Sequence, residues 1–156
     1  MNLNELLSYQ KRVFAIMDRA EPIFSSANPD IAQLENCRQQ VTAALTTYQL
    51  YKHRELFPRL KASGFRAVTD TGYDLQAECI TLGNDFRAHA ARWKDRDVLT
   101  DWDSYARMAL GLIARTRRQL AREATEAQRL AWLSAHPTQR PGMGFGLAAL
   151  RPCAAA

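Results

Sequence analysis

The sequence predicts an all-α protein, an up-down-up-down four-helix bundle followed by an irregular C-terminal tail. Apolar residues recur three and four positions apart over long windows, the spacing of one helix face, and no stretch alternates as a half-buried strand does. Breaks rich in Pro, Gly, Ser and Asp divide these windows, and short connections make consecutive helices run antiparallel. With 156 residues, 47% of them hydrophobic, the chain can bury one continuous core rather than two.

The first helix is expected over 4–24, with Leu6, Leu7, Val13, Phe14 and Met17 on its apolar side. Pro22 should end or bend it, since proline has no amide hydrogen for the ladder. SSANPD at 25–30 supplies a turn and a helix start, with Asn28 the expected N-cap and Pro29 the first helical residue, where a missing N–H leaves nothing unpaired. The second helix then extends to residue 62 along Ile31, Leu34, Cys37, Val41, Leu45 and Tyr48, continued by Lys52 and by Glu55 or Leu56. Ser63-Gly64 reads as its C-terminal cap. After a linker to Thr71, the third helix is expected over 73–94, burying Leu75, Cys79, Leu82, Phe86 and Trp93. Thr100 or Asp101 opens the fourth, which reaches residue 133 through Trp102, Tyr105, Ala109, Leu112, Ile113, Leu120 and Leu130.

A bundle domain over 1–133 and a tail over 134–156 are therefore expected. The tail holds three of the six prolines and three of the seven glycines, so it cannot continue a helix. Its Met143, Phe145, Leu147 and Leu150 are apolar enough to lie along the bundle or in a homodimer seam. The N-terminal MNLNELLSYQKRVF carries Glu5, Lys11 and Arg12 and no signal-peptide core, and no stretch reaches the roughly 18 uncharged residues of a membrane span, so a cytoplasmic protein is expected. Cys37, Cys79 and Cys153 are too few and too far apart for a disulfide framework or a cysteine zinc site, and the first two read as small core residues. The net charge of +5 would suit a polyanion, but acidic residues are interspersed with the basic ones, which disfavours nucleic acid.

Four stretches carry a resemblance. LTTYQLYKHRELFPRL at 45–60 resembles the second helix of the hemerythrin-like (hemerythrin HHE cation-binding) family, usually H-x-x-x-E-E followed by Leu-Phe-Pro, and Leu56-Phe57-Pro58 sets the register. LLSYQKRVFAIMD at 6–18 resembles the first helix of that family, LQAEC at 75–79 the third, and RRQLAREATEAQRLA at 117–131 can be laid on the fourth. The resemblance implies a hemerythrin-like four-helix bundle. In that family a metal pair is held by histidines from all four helices and by carboxylates from the second and fourth. The register puts Gln10, Tyr48, Cys79 and Gln119 at histidine positions, Lys52 at the second-helix carboxylate and Glu123 at the fourth. Only Glu123 keeps its residue type, so the resemblance implies a vestigial polar site in the bundle core.

A di-iron centre needs several imidazoles and bridging carboxylates, and three histidines, one of them in the tail, cannot supply it. His53 lies one residue past the inward position, about 100° around the helix, and is expected on the flank. No metal and no other cofactor is therefore expected, and the chain reads as a non-catalytic bundle acting on a protein or small-molecule partner. GMGFG at 142–146 has no preceding strand and is not a dinucleotide fingerprint. Two alternatives stand beside this. One is a metal- or oxygen-binding bundle with atypical ligands, Glu55, Glu78, Glu123 and His89. The other is a basic adaptor or phosphotransfer-type signalling bundle, using the run Arg115, Arg117, Arg118 and Arg122 or the sequence His89-Ala90-Ala91-Arg92. His89 otherwise reads as a core or boundary histidine beside Phe86 and Trp93.

Overall fold

The computed structural model describes residues 2–94 and 98–136, and among them the fold is all-helical with no strand. The elements are α1 (Leu3–Phe24), α2 (Ile31–Tyr51), a π turn (Lys52–Leu56), α3 (Phe57–Lys61), α4 (Arg66–Arg92), a 3-10 turn (Val98–Asp101) and α5 (Trp102–Ala135). Helix α1 packs on α2 and α5, and α4 packs on α3 and α5, which gives a bundle-like arrangement. None of the described helices is long and apolar enough to cross a membrane. The expected apolar residues of the tail, Met143 to Leu150, lie outside the described residues.

Each helix end has a local cause. Asn2 caps α1 by accepting from the Asn4 amide at 3.0 Å, and Pro22 falls in the last turn, so the helix closes at Phe24. The N-cap of α2 is Asp30, not Asn28: its carboxylate accepts from the amides of Ala32 at 2.9 Å and Gln33 at 3.1 Å. Pro29 thus stands before the cap, where its fixed φ serves the turn. The single long helix expected to residue 62 is interrupted by the π turn. Pro58 offers no N–H to the carbonyl of Arg54, and the ladder instead closes by a wider bond from the Phe57 amide to the Lys52 carbonyl. In a regular helix every fourth residue drifts by about 40°. The wider turn counters that drift, so Tyr48, Lys52, Leu56 and Leu60 are all buried.

The third long helix begins two turns earlier than expected, at Arg66. Gly64, at φ 75, makes the turn, the Ser63 hydroxyl accepts from the Phe65 amide at 3.2 Å, and Thr69 donates back to the Lys61 carbonyl at 3.3 Å. Gly72, which falls between the expected linker and the expected helix, lies inside α4 where it crosses α3: a Cβ there would sit 2.9 Å from the Cβ of Leu60. The main apolar core joins Leu6, Val13 and Met17 to Tyr48, Leu56, Phe57, Leu75, Leu120 and Leu133. A second cluster of Ile23, Leu34, Trp93, Val98 and Tyr105 closes the end where α1 stops and α5 starts.

Candidate functional site

A polar network crosses the inside of the bundle, with one contributor or more from each long helix. Glu123 on α5, fully buried, is its centre. Its Oε1 accepts from Lys52 Nζ at 2.9 Å and from Gln119 Nε2 at 3.0 Å, and its Oε2 accepts from the Tyr48 hydroxyl at 2.6 Å. Gln119 and Glu123 share a face of α5 because they are four residues apart. Gln10 on α1 donates to the Tyr48 oxygen at 2.9 Å and to the Leu120 carbonyl at 2.8 Å. Gln119 also donates to the Leu75 carbonyl of α4 at 3.3 Å. The Lys52 ammonium lies 4.7 Å from the centre of the Tyr48 ring, so the ring face adds to its stabilisation.

Taken singly, each charge would be costly here, since moving an ion from water into a protein interior carries a penalty of several kcal/mol. The pair survives because each charge meets the other and the surrounding donors meet the same carboxylate. Burial, then the charge and hydrogen bond of Glu123, push the Tyr48 hydroxyl far above its ordinary pKa, so it remains a donor. Within the network one atom stays unpaired: the buried Oε1 of Gln119 has no hydrogen-bond partner among the described residues. Cys79 is buried in the apolar core near Tyr48.

The other sequence-selected residues are scattered. His53 is exposed, its ring edge against Phe57 at 5.2 Å and its Nδ1 3.4 Å from Gln76 Nε2. His89 is half-buried and stacked on Tyr105 with ring centres 5.0 Å apart, whereas a phosphoacceptor needs an exposed ring. The basic run does not form one free cationic surface. Arg115 pairs with Asp85 at 2.6 Å and Arg122 with Glu78, both on α4, while Arg117 turns to α1 and holds Asp18 at 2.6 Å and Glu21 at 3.0 Å. Arg118 is exposed. Of the atypical ligands, Glu55 faces Arg59 at 3.4 Å, Glu78 faces Arg122 and Glu123 faces Lys52, so the four do not converge. No three His, Cys, Asp or Glu side chains gather around a common point among the described residues.

Sequence reasoning missed a cavity. About 310 Å³ of space lies between α2 and α4, with buried Met17, Ala20, Ala109, Leu112 and Ile113 of α1 and α5 as its floor. Its rim is formed by exposed Thr42 and Thr46 of α2 and Arg87 and Ala90 of α4, with Arg38 and His89 beside them. The available signal was side-chain size: Val41, Thr42 and Thr46 of α2 line the space together with Gly83, Ala90 and Ala109, too little volume to fill the gap. Cys37, Val41 and Leu45, expected as a buried line, are only half-buried because they border this space. The chain matches no protein-family model, no curated protein and no solved structure with which it was compared.

Proposed function

We propose that the chain is a hemerythrin-like bundle of up-down-up-down order whose metal-site position is taken by an ion pair, and that it acts without catalysis by binding a small molecule or a protein. The observation that carries this reading is the closed donor set of Glu123, which accepts from Lys52, Gln119 and Tyr48 at once.

The residues at the family's ligand positions do not fit a di-iron centre. An ammonium has three donors and no lone pair, a carboxamide is a weak ligand, and the Tyr48 phenol keeps its proton. That leaves one carboxylate and one thiol, where a metal pair needs several imidazoles and bridging carboxylates. The Lys52 charge would also repel a cation placed beside Glu123. What remains is a rigid polar cross-tie between α1, α2 and α5, next to a cavity lined by four helices. The fold then offers a preformed, mostly apolar space of the kind a binding protein uses.

Protein produced in iron-replete medium and purified without chelator should carry no stoichiometric iron and no near-ultraviolet oxo-bridged absorption. A di-iron complement on the purified chain would overturn the reading.

A further inference from the structure

The cavity between α2 and α4 joins an apolar floor to a cationic rim. Its lining follows α4 from Gly83 to Ala90 and α5 from Tyr105 to Ile113, about 10–12 Å along the helix axes. That length exceeds a single ring, and the volume is about twice the ~150 Å³ apolar cavity that holds benzene. At the rim, Arg87 has one partner among the described residues, the side-chain oxygen of Asn84, and no carboxylate within ion-pair distance. Arg38 meets Glu35 at 3.6 Å with both side chains partly in solvent, a weak pairing, and its guanidinium lies 5.9 Å from the Tyr105 ring centre. The two guanidiniums stand at opposite ends of the slot, Arg38 against the Tyr105 ring and Arg87 beside Gly83 and Asn84. The Arg87 end therefore complements a molecule with one anionic head and one apolar body, and guanidinium is the donor best matched to a carboxylate.

We propose that this cavity binds a medium-chain aliphatic carboxylate, its head at the rim on Arg87 and its chain along the α1–α5 floor toward Tyr105. The proposal names the ligand class for the binding role above and rests on that reading. The buried chain supplies affinity through apolar area removed from water, and the head fixes orientation and selects acids over alcohols.

Calorimetric titration of the full chain with decanoate and with decanol tests it. Decanoate should bind one to one and about tenfold more tightly than the alcohol. Arg87→Gln should reduce the acid to the affinity of the alcohol and leave the alcohol unchanged, while Ala109→Phe, which fills the floor, should remove both. Arg87 is exposed on the surface of the bundle, so its variant keeps the test independent of packing. Equal affinity for acid and alcohol, or decanoate binding that survives Ala109→Phe, would overturn the proposal. So would binding of neither probe, or a nuclear Overhauser contact placing Phe145 on the floor of the ligand-free chain, which would make the tail the occupant. Iron content measured on the same preparation separates failure of the ligand class from failure of the metal-free reading.

Discussion

Lys52 and Glu123 show what a single residue does inside this bundle. The pair is 2.9 Å long with side chains 5% and 0% exposed, so removing either partner strands a charge that water cannot reach. Lys52→Met alone and Glu123→Leu alone should each cost on the order of 3–5 kcal/mol, and the double replacement much less, because it removes both desolvation penalties together. Urea denaturation of the three variants measures this, and additivity of the single effects would mean that the two residues are not coupled. His89 contributes at the same scale through protonation. Burial, then the charges of Arg38 and Arg92, lower its pKa from the usual value of about 6.5. The unfolded chain therefore takes up that proton first, and stability falls as pH drops below about 6.5 until the folded pKa is passed. His53 is lowered in the same direction, by burial and by Lys52 and Lys61, so His89→Gln should flatten the acid-side slope without abolishing it. An unchanged slope in denaturation midpoints across this range would show that His89 does not titrate differently in the two states. Gln10, Tyr48, Lys52, Gln119 and Glu123, all selected from the sequence, meet in one network, and the four-residue spacing of Tyr48 with Lys52 and of Gln119 with Glu123 is a local signal. The sequence could not show that Gln119 Oε1 would be left unpaired, since that depends on how four backbones meet.

Helix boundaries were legible wherever they rest on hydrophobic periodicity, and were missed where tertiary contact decides. Thr69, Thr71 and Gly72 look like a loop because small and hydroxyl residues favour turns. In the fold, Gly72 is helical because only a residue without a side chain lets α4 approach Leu60, and Val68 beside it is fully buried. The start of α2 is a subtler miss, since Asn28 and Asp30 are both good N-cap residues. The choice is settled by Asp30 Oδ1 reaching two free amides, while the Asn28 amide itself bonds back to the Ser26 hydroxyl at 3.2 Å. Asp30→Ala should therefore destabilise the protein by about 0.5–2 kcal/mol, and Asn28→Ala should fall within the usual ±0.5 kcal/mol of a surface change. Chemical denaturation of the two variants compares them directly. Equal losses would place the cap at neither residue alone.

Across the whole molecule, the packing is uneven in a way that neither residue nor element explains. Helices α1 and α5 present continuous buried stripes, whereas no residue of α2 between positions 35 and 47 is fully buried. One side of that stretch borders the cavity of about 310 Å³, and a second hollow of about 470 Å³ lies on its other side against Tyr9, Arg12 and Ala15 of α1. Its side-chain bonds are mostly its own: Thr42, Thr46 and Thr47 each donate to a carbonyl four residues back, and Gln40 donates to Asn36, although Arg19 of α1 reaches Gln40 at 2.7 Å. A stretch with no fully buried side chain and a hollow on either side opens at low free energy, while the segment from Tyr48 onward is tied to the far side of the bundle by Glu123. Amides 36–46 should therefore exchange with deuterium faster than those in the interiors of α1 and α5, with the boundary of slow exchange falling close to Tyr48. Adding decanoate should slow exchange in 36–46 and leave α1 unchanged, because the ligand supplies the apolar contacts that the neighbouring helices do not. Uniform protection along α2 in the free protein would mean that this helix is held as firmly as its neighbours despite its half-buried face.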